Sequence, residues 1–311
     1  MKIMALQISI FEKKWLLRFI NGLQNMMKIF QSGLVKNKKI KLRYGENPNQ
    51  DAYINSYSKN SIFNYQISGK KISYNNLLDL DSGLKCLKEF SEPTSIIVKH
   101  TNACGAASSK NIETAFHKSY NSDPKSAFGG IIFLNRKVSI LLAKKIFKNF
   151  FEIVAASDYE KGALEILKKK KNLILIKIPN IRRKIFEHKS TLFGDLYQKV
   201  DSRQINKKFL RLVSKKNGTK QSIDDLIFSL KVAKHLKSNA VVLSRNKQTV
   251  GLGHGQTNRV DALNVAIKNM KKYFKKKSFV CASDGFFPFT DSIDLLNKNG
   301  CSVVAQPSGF Y

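Results

Sequence analysis

The chain has 311 residues, 42% of them hydrophobic, and a formal net charge of +33 at neutral pH. This length allows a substantial core and two subdomains, and the composition predicts a globular protein. No run approaches the roughly 18 apolar residues of a membrane-spanning helix, so we predict no membrane insertion. The four cysteines, at positions 86, 104, 281 and 301, form no Cys-x-x-Cys pair. This spacing predicts reduced thiols in the cytoplasm, and neither a structural zinc site nor a disulfide framework.

The charge excess comes from lysine. Only nine of the 55 basic residues are arginine, whereas specific nucleic-acid interfaces rely on arginine for bidentate contacts with bases and phosphates. The lysines are spread through the chain and occur together with abundant Asn and Ile. This pattern is typical of an AT-rich coding bias. The sequence therefore predicts no specific nucleic-acid partner, although it favours non-specific contacts with polyanions at low salt.

Hydrophobic periodicity predicts alternating strands and helices along the chain. An apolar stripe over residues 15–23 predicts one or two helices within residues 1–40. The predicted strands are 95–98, 130–134, 173–177, 239–244, 249–252, 279–282 and 302–305. The predicted helices are 76–90, 110–121, 138–149, 161–169, 223–237, 258–275 and 291–298. The alternation indicates an α/β fold with layered sheets, and no internal repeat of fixed period is visible.

The pair Lys99–His100 follows the predicted buried strand 95–98 and precedes a predicted Gly-containing turn that ends at Gly105. Open α/β sheets place their chemistry at the carboxyl ends of strands. Imidazole exchanges protons near neutral pH, and a neighbouring ammonium can hold an anionic oxygen. The pair is therefore a candidate acid–base centre, although the same dipeptide also occurs by chance on solvated turns.

Two loops in the first half of the chain suit a bound nucleotide. In the loop 42–50, Arg43 beside Tyr44 can grip a phosphate and stack on a heterocycle; the alternative is an ordinary loop at the start of a domain. In the loop 122–130, the paired glycines Gly129 and Gly130 at a strand entrance permit close approach of a ligand. Here the alternative is a bulge or turn, and the residues alone leave both loops open.

Two loops in the second half carry glycine or aromatic residues. The glycine run 251–259 precedes a helix that begins at Asn258, where free backbone N–H groups suit an anion. It is neither a Walker A loop nor a dinucleotide fingerprint, and His254 within it is interpreted as a loop residue rather than a catalyst. Three aromatic residues follow the predicted strand 279–282 and could stack on a planar ring. For Phe287 and Phe289 core packing is the preferred interpretation.

Six segments occur here in a fixed order: LRYGENPNQ, VKHTNACG, SDPKSAFGG, LKSNAVV, GHGQTNRV and SDGFFPF. With them, residues 41–309 closely resemble the transformylase portion of the bifunctional purine-biosynthesis family that joins AICAR transformylase to IMP cyclohydrolase. The resemblance implies an α/β fold of two cytidine-deaminase-like α/β/α subdomains, residues 41–222 and 223–311, after a helical N-terminal remnant at residues 1–40. It implies no zinc site, because the H-x-E and P-C-x-x-C residues of the zinc deaminases are absent.

The activity that the resemblance implies is formyl transfer from 10-formyltetrahydrofolate to the 5-amino group of AICAR, giving FAICAR. By matching the family motifs, His100 would be the general base. Lys99 would hold the imidazole neutral and stabilise the oxyanion or protonate the leaving folate nitrogen. Asn239 would form a hydrogen bond near the reacting amine or formyl oxygen.

The same matching assigns substrate contacts, which are Arg43, Tyr44, Gly129, Glu152 and Phe286. Glu152 would contact the ribose, and Phe286 would pack on the imidazole base of AICAR. The resemblance further implies a homodimer, because the family builds its sites at a subunit interface. It implies no metal for catalysis and leaves open whether a monovalent cation binds. IMP cyclohydrolase activity is not expected, because residues 1–40 are too short for that domain.

The sequence also departs from the family at five motif positions, which are Asn49, Ala103, His254, Gly285 and Thr290. It ends at residue 311, whereas the family continues into a tail rich in Arg and His that helps to bind the nucleotide phosphate. Losing one such contact would cost about 2–3 kcal/mol of binding. The alternative hypothesis is therefore a catalytically inactive remnant of this enzyme in a decaying genome.

Overall fold

The computed structural model describes residues 37–57, 61–178, 186–275 and 278–308. Most of the predicted helical segment 1–40 thus lies outside the described residues, and its last residues belong to a strand that begins at Asn37. Each predicted helix from residue 76 onward and each predicted strand is confirmed, with ends shifted by a few residues. The predicted α/β class is also confirmed.

Fourteen strands are described: β1 (Asn37–Lys41), β2 (Tyr53–Tyr57), β3 (Gln66–Ser68), β4 (Thr94–Lys99), β5 (Asn102–Ser108), β6 (Ile131–Leu134), β7 (Ile153–Ala156), β8 (Ile174–Lys177), β9 (Phe186–Thr191), β10 (Gly194–Lys199), β11 (Val241–Arg245), β12 (Gln248–Gly253), β13 (Phe279–Ser283) and β14 (Cys301–Ala305).

The α-helices of the described ranges are α1 (Tyr74–Leu87), α2 (Ile112–Ser122), α3 (Pro124–Ala127), α4 (Ile140–Phe147), α5 (Lys161–Lys168), α6 (Lys220–Ala233), α7 (Arg259–Tyr273) and α8 (Asp291–Lys298). Short 3-10 helices lie at Ile62–Tyr65 and Lys207–Phe209. Within these ranges, none of the helices combines the length and the apolar character needed to cross a bilayer.

Ten strands form one sheet in the order β14-β13-β11-β12-β5-β4-β6-β7-β8-β3. The sheet is mixed, because β6–β7, β7–β8 and β13–β14 are parallel and the other neighbours are antiparallel. Alternate side chains of a strand point to opposite faces. On β4, accordingly, Ile96 packs with α1 and α6 on one face, whereas Ile97 packs with α2, α4 and α5 on the other. Helices α7 and α8 bury the remaining part of that second face.

The order of elements repeats in the two halves of the chain. Apart from the short α3, the run α1-β4-β5-α2-β6-α4-β7 is followed later by α6-β11-β12-α7-β13-α8-β14, and the antiparallel neighbours β5 and β12 meet at the centre of the sheet. Equivalent contacts recur. Asn135 Oδ1 accepts from Thr94 N at 2.8 Å, and Asp284 Oδ1 accepts from Ala240 N at 2.9 Å. No repeat of fixed period is visible in the sequence because the two halves share backbone contacts more than residue types.

A glycine in each central strand allows a helix to pack closely. A Cβ on Gly105 of β5 would lie 2.0 Å from Ser119 O of α2, and a Cβ on Gly251 of β12 would lie 2.2 Å from Ala266 O of α7. Both contacts involve backbone atoms, which cannot rotate away as a side chain can. These glycines are therefore strand residues that set the helix–sheet distance, and the predicted turn through Gly105 is wrong.

We expect Gly105→Ala to lower the free energy of unfolding by about 1–3 kcal/mol, because the added methyl group forces α2 away from the sheet. Gly218→Ala is the matched control, since its Cβ would meet no backbone atom and only side-chain carbons, the nearest at 3.3 Å. Thermal unfolding of both variants measures the difference. Equal unfolding temperatures would contradict this account of the packing.

Candidate active site

One edge of the ten-stranded sheet carries the candidate residues of the first half. Val98 of β4 pairs with Ile131 of β6, and Ile131 pairs with Ile153 of β7. The residues next to these positions therefore lie in a row along the edge, in the order Lys99–His100, Gly129 and Glu152. The resemblance assigns a role to every member of this row.

The same edge continues into the second half. Val241 of β11 pairs with Gly253 of β12 and with Ser283 of β13. β12 is antiparallel to β5, and its first residue, Gln248, pairs with Ala107 near the end of β5. The end of β12 at Gly253 therefore lies on the edge that carries the start of β5. Asn239, which precedes β11, and Phe286, which follows β13, therefore belong to the same edge.

The Lys99–His100 pair lies at a tight hairpin tip. Lys99 pairs with Asn102, so the turn between β4 and β5 consists of His100 and Thr101, whose φ angles are 52° and 64°. Two successive positive φ values are typical of a type I′ hairpin turn, which usually contains Asn or Gly. A histidine in this conformation is uncommon, and its side chain is exposed to solvent.

Side chains of α1 bind this turn. Asp79 Oδ1 accepts from Thr101 N at 2.6 Å, and Ser82 Oγ donates to Thr101 O at 2.5 Å. Asn102 Nδ2 donates to His100 O at 3.0 Å. Burial raises the pKa of the Asp79 carboxyl, and hydrogen bonds from the backbone of Thr101 and His100 partly offset that rise. The backbone of the tip is thus bound from several sides while the imidazole remains accessible.

Lys99 reaches toward the neighbouring strand. Its Nζ donates at 2.9 Å to the backbone oxygen of Phe128, which is the residue before Gly129. Gly129 has a φ of +74°, and its N–H donates to Phe150 O at 2.9 Å. The rings of Phe128 and Phe150 pack at 5.1 Å and are both largely exposed. The positive φ explains the glycine, and it is compatible with both interpretations of this loop.

Glu152 is held by the start of α1. Asn76 Nδ2 donates to Glu152 Oε2 at 2.9 Å, and Lys70 Nζ lies 3.8 Å from Oε1. Asn76 also forms a capping box with Ser73 at this helix end. The carboxylate therefore has a defined orientation and still keeps about a third of its side-chain surface exposed, at 32%.

The loop that contains Arg43 and Tyr44 docks on the same helix end, because Tyr74 N donates to Tyr44 O at 3.3 Å. Arg43 Nη2 donates to Tyr44 Oη at 2.6 Å, and the guanidinium lies 4.5 Å from the centre of the Tyr44 ring. Arg43 Nε is buried and has no hydrogen-bond partner among the described residues. Helix α1 thus connects this loop, Glu152 and the hairpin tip.

Asn239 is held in a polar network. Its Nδ2 donates to Gln256 O at 2.9 Å, and its Oδ1 accepts from Arg259 Nη2 at 2.8 Å. Arg259 Nη1 donates to Ser283 Oγ at 2.9 Å and forms an ion pair with Asp284. Arg259 and Asp284 were not singled out as site residues from the sequence, although both stand inside the motifs GHGQTNRV and SDGFFPF.

The segment after β13 corrects one prediction. A Cβ on Gly285 would lie 2.3 Å from Arg259 Nη2, so this glycine leaves room for the guanidinium. Phe286 is 39% exposed and Phe287 only 8%, and the predicted core packing of Phe287 is confirmed. The same prediction for Phe289 is wrong, because its side chain is 72% exposed.

The Arg259–Asp284 ion pair makes the stability of the fold depend on pH. Burial by itself raises the pKa of Asp284, but hydrogen bonds from Ser238, Ala240 and Arg259 outweigh it and leave the pKa below its ordinary 3.8. A carboxyl with a lowered folded-state pKa stabilises the fold above its unfolded-state pKa, and this contribution is lost as the pH falls through the folded-state value. We therefore expect Asp284→Asn to reduce stability at pH 7 and to flatten the loss of stability below pH about 4. Urea unfolding of both proteins across this range tests it, and parallel curves would contradict it.

Asn102 joins the two groups of residues. Its side chain is buried, and besides binding His100 O its Oδ1 accepts from Lys237 N at 2.9 Å, two residues before Asn239. Sequence reasoning missed Asn102 because it was assigned to a turn. The far ends of the edge are not brought together, since β7 after Glu152 and β13 before Phe286 lie six strands apart, roughly 30 Å along the sheet.

A cavity of about 190 Å³ opens between β5, β12, α2, α3 and α7. His254 lines it together with Cys104 and Asp123. β12 ends at Gly253, so His254 lies in the loop after it, as predicted. Burial lowers the pKa of His254 and raises the pKa of Cys104 to about 12, which keeps that thiol protonated. In the described ranges no three His, Cys, Asp or Glu side chains are grouped closely enough to hold a metal ion.

Comparisons with known proteins give a consistent result. The family model described as AICARFT/IMPCHase bienzyme matches residues 13–269. The bifunctional purine biosynthesis protein PurH of Caldicellulosiruptor saccharolyticus is 44% identical over 277 residues, which are 86% of this chain and 53% of that relative. The PurH proteins of Thermoanaerobacter sp. and Oceanobacillus iheyensis are 43% and 39% identical, with the same coverage. The chain spans about half the length of the curated relatives it matches.

Proposed function

The chain belongs to the AICARFT/IMPCHase bienzyme family, and from this premise we propose that it transfers a formyl group from 10-formyltetrahydrofolate to the 5-amino group of AICAR. The products are FAICAR and tetrahydrofolate. The observation that carries the proposal is the single sheet edge along which Asn239, the accessible His100 with Lys99, Gly129 and Glu152 lie, in that order. A base, a cation and hydrogen-bonding groups in one row suit acyl transfer to a weak amine.

The chemical step needs a proton acceptor, because the amine of AICAR is conjugated with its carboxamide. In the proposed mechanism the amine nitrogen attacks the formyl carbon while His100 accepts the amine proton. Lys99 stabilises the tetrahedral oxyanion. The bond between the formyl carbon and N10 of the folate then breaks, N10 takes a proton from Lys99, and the formyl group remains on AICAR. Asn239 forms a hydrogen bond near the reacting amine or formyl oxygen.

The remaining residues would hold the nucleotide. The buried Nε of Arg43, which lacks a partner among the described residues, supports a contact with the phosphate. Tyr44 belongs to the same docked loop. The oriented carboxylate of Glu152 suits the ribose hydroxyls, and Gly129 allows the ligand to approach the backbone closely. The exposed ring of Phe286 would pack on the base.

We also propose a homodimer of two-subdomain chains. The strands next to Glu152 and Phe286 lie roughly 30 Å apart, so a single nucleotide cannot contact both residues of one chain. It can contact both where a second copy of the chain contributes one of the two residues, which supports the homodimer. The repeated element order supports two cytidine-deaminase-like α/β/α subdomains, residues 41–222 and 223–311. The proposed mechanism uses no zinc. A cytoplasmic location remains a prediction. Light scattering of the purified chain measures the oligomeric state.

Steady-state turnover of the purified chain with AICAR and 10-formyltetrahydrofolate tests the function. We expect AICAR-dependent release of tetrahydrofolate with formation of FAICAR. A folded chain without turnover would overturn the proposal and support the alternative of a catalytically inactive remnant. Calorimetric measurement of AICAR binding separates a failure to bind the nucleotide from a failure of the chemical step.

A further inference from the structure

Two hairpin tips in the described residues are built alike, at opposite edges of the sheet. The tip between β4 and β5 contains His100 and Thr101, with φ angles of 52° and 64°. The tip between β11 and β12 contains Asn246 and Lys247, both with φ angles of 50°. The two hairpins occupy equivalent places in the repeated element order. The second tip, which contains no histidine, therefore serves as a reference for the contacts of the first.

Each tip is bound by an aspartate from the preceding helix. Asp79 accepts from Thr101 N at 2.6 Å, and Asp225 accepts from Asn246 N at 2.8 Å and from Lys247 N at 2.7 Å. Each aspartate is the sixth residue of its helix, counted from the first residue of α1 or α6. The carboxylate supplies the acceptor that the outward-facing N–H groups of a left-handed turn otherwise lack.

The first tip has further ties on the site side, whereas the second is tied at the opposite edge, where Lys118 Nζ donates to Asn246 O at 3.1 Å and Ser108 N donates to Lys247 O at 2.9 Å. Ser82 Oγ donates to Thr101 O, and Asn102 spans from His100 O to Lys237 N. Lys237 begins the segment that leads to Asn239. The side chain of Asn102 therefore sets the separation between the turn that carries His100 and the segment that carries Asn239.

We propose that Asp79 and Asn102 are positioning residues for His100: Asp79 holds the left-handed turn, and Asn102 holds that turn against the Lys237–Asn239 segment. The inference rests on the proposed function, because it concerns the base of that reaction. A general base must lie within hydrogen-bond reach of the proton it accepts. Removing the acceptor from the turn lets the backbone leave the left-handed region, which moves the imidazole and leaves the binding residues in place.

The second tip provides a matched control. Asp79→Ala and Asp225→Ala each remove one carboxylate from an equivalent turn, so both are expected to lower the unfolding temperature. Only Asp79→Ala is expected to lower kcat, by about 100-fold, because a 1 Å misplacement has an effect of this order. The KM for AICAR is expected to stay within about threefold, since Asp79 is assigned a role in holding the turn and none in binding the substrate. Asp79→Asn keeps an acceptor for Thr101 N and is expected to recover most of the lost kcat.

Asn102→Ala is expected to lower kcat about tenfold, which is about 1.4 kcal/mol. Asp79→Ala and Asp225→Ala are assayed at a temperature where both are folded. If kcat falls no further in Asp79→Ala than in Asp225→Ala, the proposed role of Asp79 is overturned. Wild-type kcat in Asn102→Ala overturns the role of Asn102.

A second measurement keeps this inference separate from the proposed function. If the wild-type chain shows no turnover, the proposed function fails, and the imidazole resonances of His100 then report on positioning. Asp79→Ala and Asn102→Ala are expected to shift these resonances and Asp225→Ala to leave them unchanged. Unshifted His100 resonances in Asp79→Ala would overturn the inference whatever the activity.

Discussion

His100→Ala is expected to lower kcat for formyl transfer by roughly 10²–10⁴-fold, the usual contribution of a general base. The imidazole is exposed at the hairpin tip, and within the described part of the chain its ring nitrogens take part in no hydrogen bond or ion pair. Its backbone carbonyl and the turn N–H groups make the contacts instead, and alanine keeps all of these. The variant should therefore fold normally and bind AICAR with nearly the wild-type affinity.

The matched control is His117→Ala, because His117 is also exposed but lies on α2, away from the edge that carries Lys99 and Asn239. Its kcat should equal that of the wild type. Steady-state kinetics at saturating AICAR measures both variants. Retention of more than about a tenth of wild-type kcat in His100→Ala would assign the proton transfer to another group.

The strands and helices with strong hydrophobic patterns could be predicted from the sequence. The apolar runs of β4 and β6 are continuous because both faces of these strands are covered by helices. β5 escaped detection because its residues are mostly alanine and glycine, and its strand character comes from pairing with β4 and β12. The hairpin β9–β10 was missed for a different reason, since its largely exposed residues show no buried stripe.

The candidate catalytic pair could be found from its position after a strand, but its surroundings could not. Asp79 stands 21 residues before His100 in the chain, and nothing local marks it as the acceptor for a turn. Arg259 and Asn239 likewise meet only because β11, β13 and α7 converge at one edge. Contacts between distant residues follow from the register of the sheet, which a single sequence does not specify.

The substitution with the largest expected effect on stability is Arg259→Met. The guanidinium is 15% exposed and the Asp284 carboxylate 16%, so removing the cation leaves a largely buried anion without its partner. Breaking such a pair costs about 3 kcal/mol of unfolding free energy. Asn239 Oδ1 loses its donor at the same time, so kcat/KM should fall even where the protein remains folded.

A double-mutant cycle separates the two consequences. In the double variant Arg259→Met/Asp284→Asn the uncompensated charge is gone, so the combined destabilisation should be smaller than the sum of the single effects by about 1–3 kcal/mol. The activity should not recover in parallel, because Asn239 still lacks the Arg259 donor.

Arg259→Lys extends this test: it keeps the charge for Asp284 but loses the planar fork that also reaches Asn239, so it should restore stability more than turnover. Arg211→Lys, on an exposed segment, controls for the exchange itself. Additive stabilities in the cycle would show that Arg259 and Asp284 are not coupled. Wild-type turnover in Arg259→Lys would show that the orientation of Asn239 does not depend on the Arg259 guanidinium.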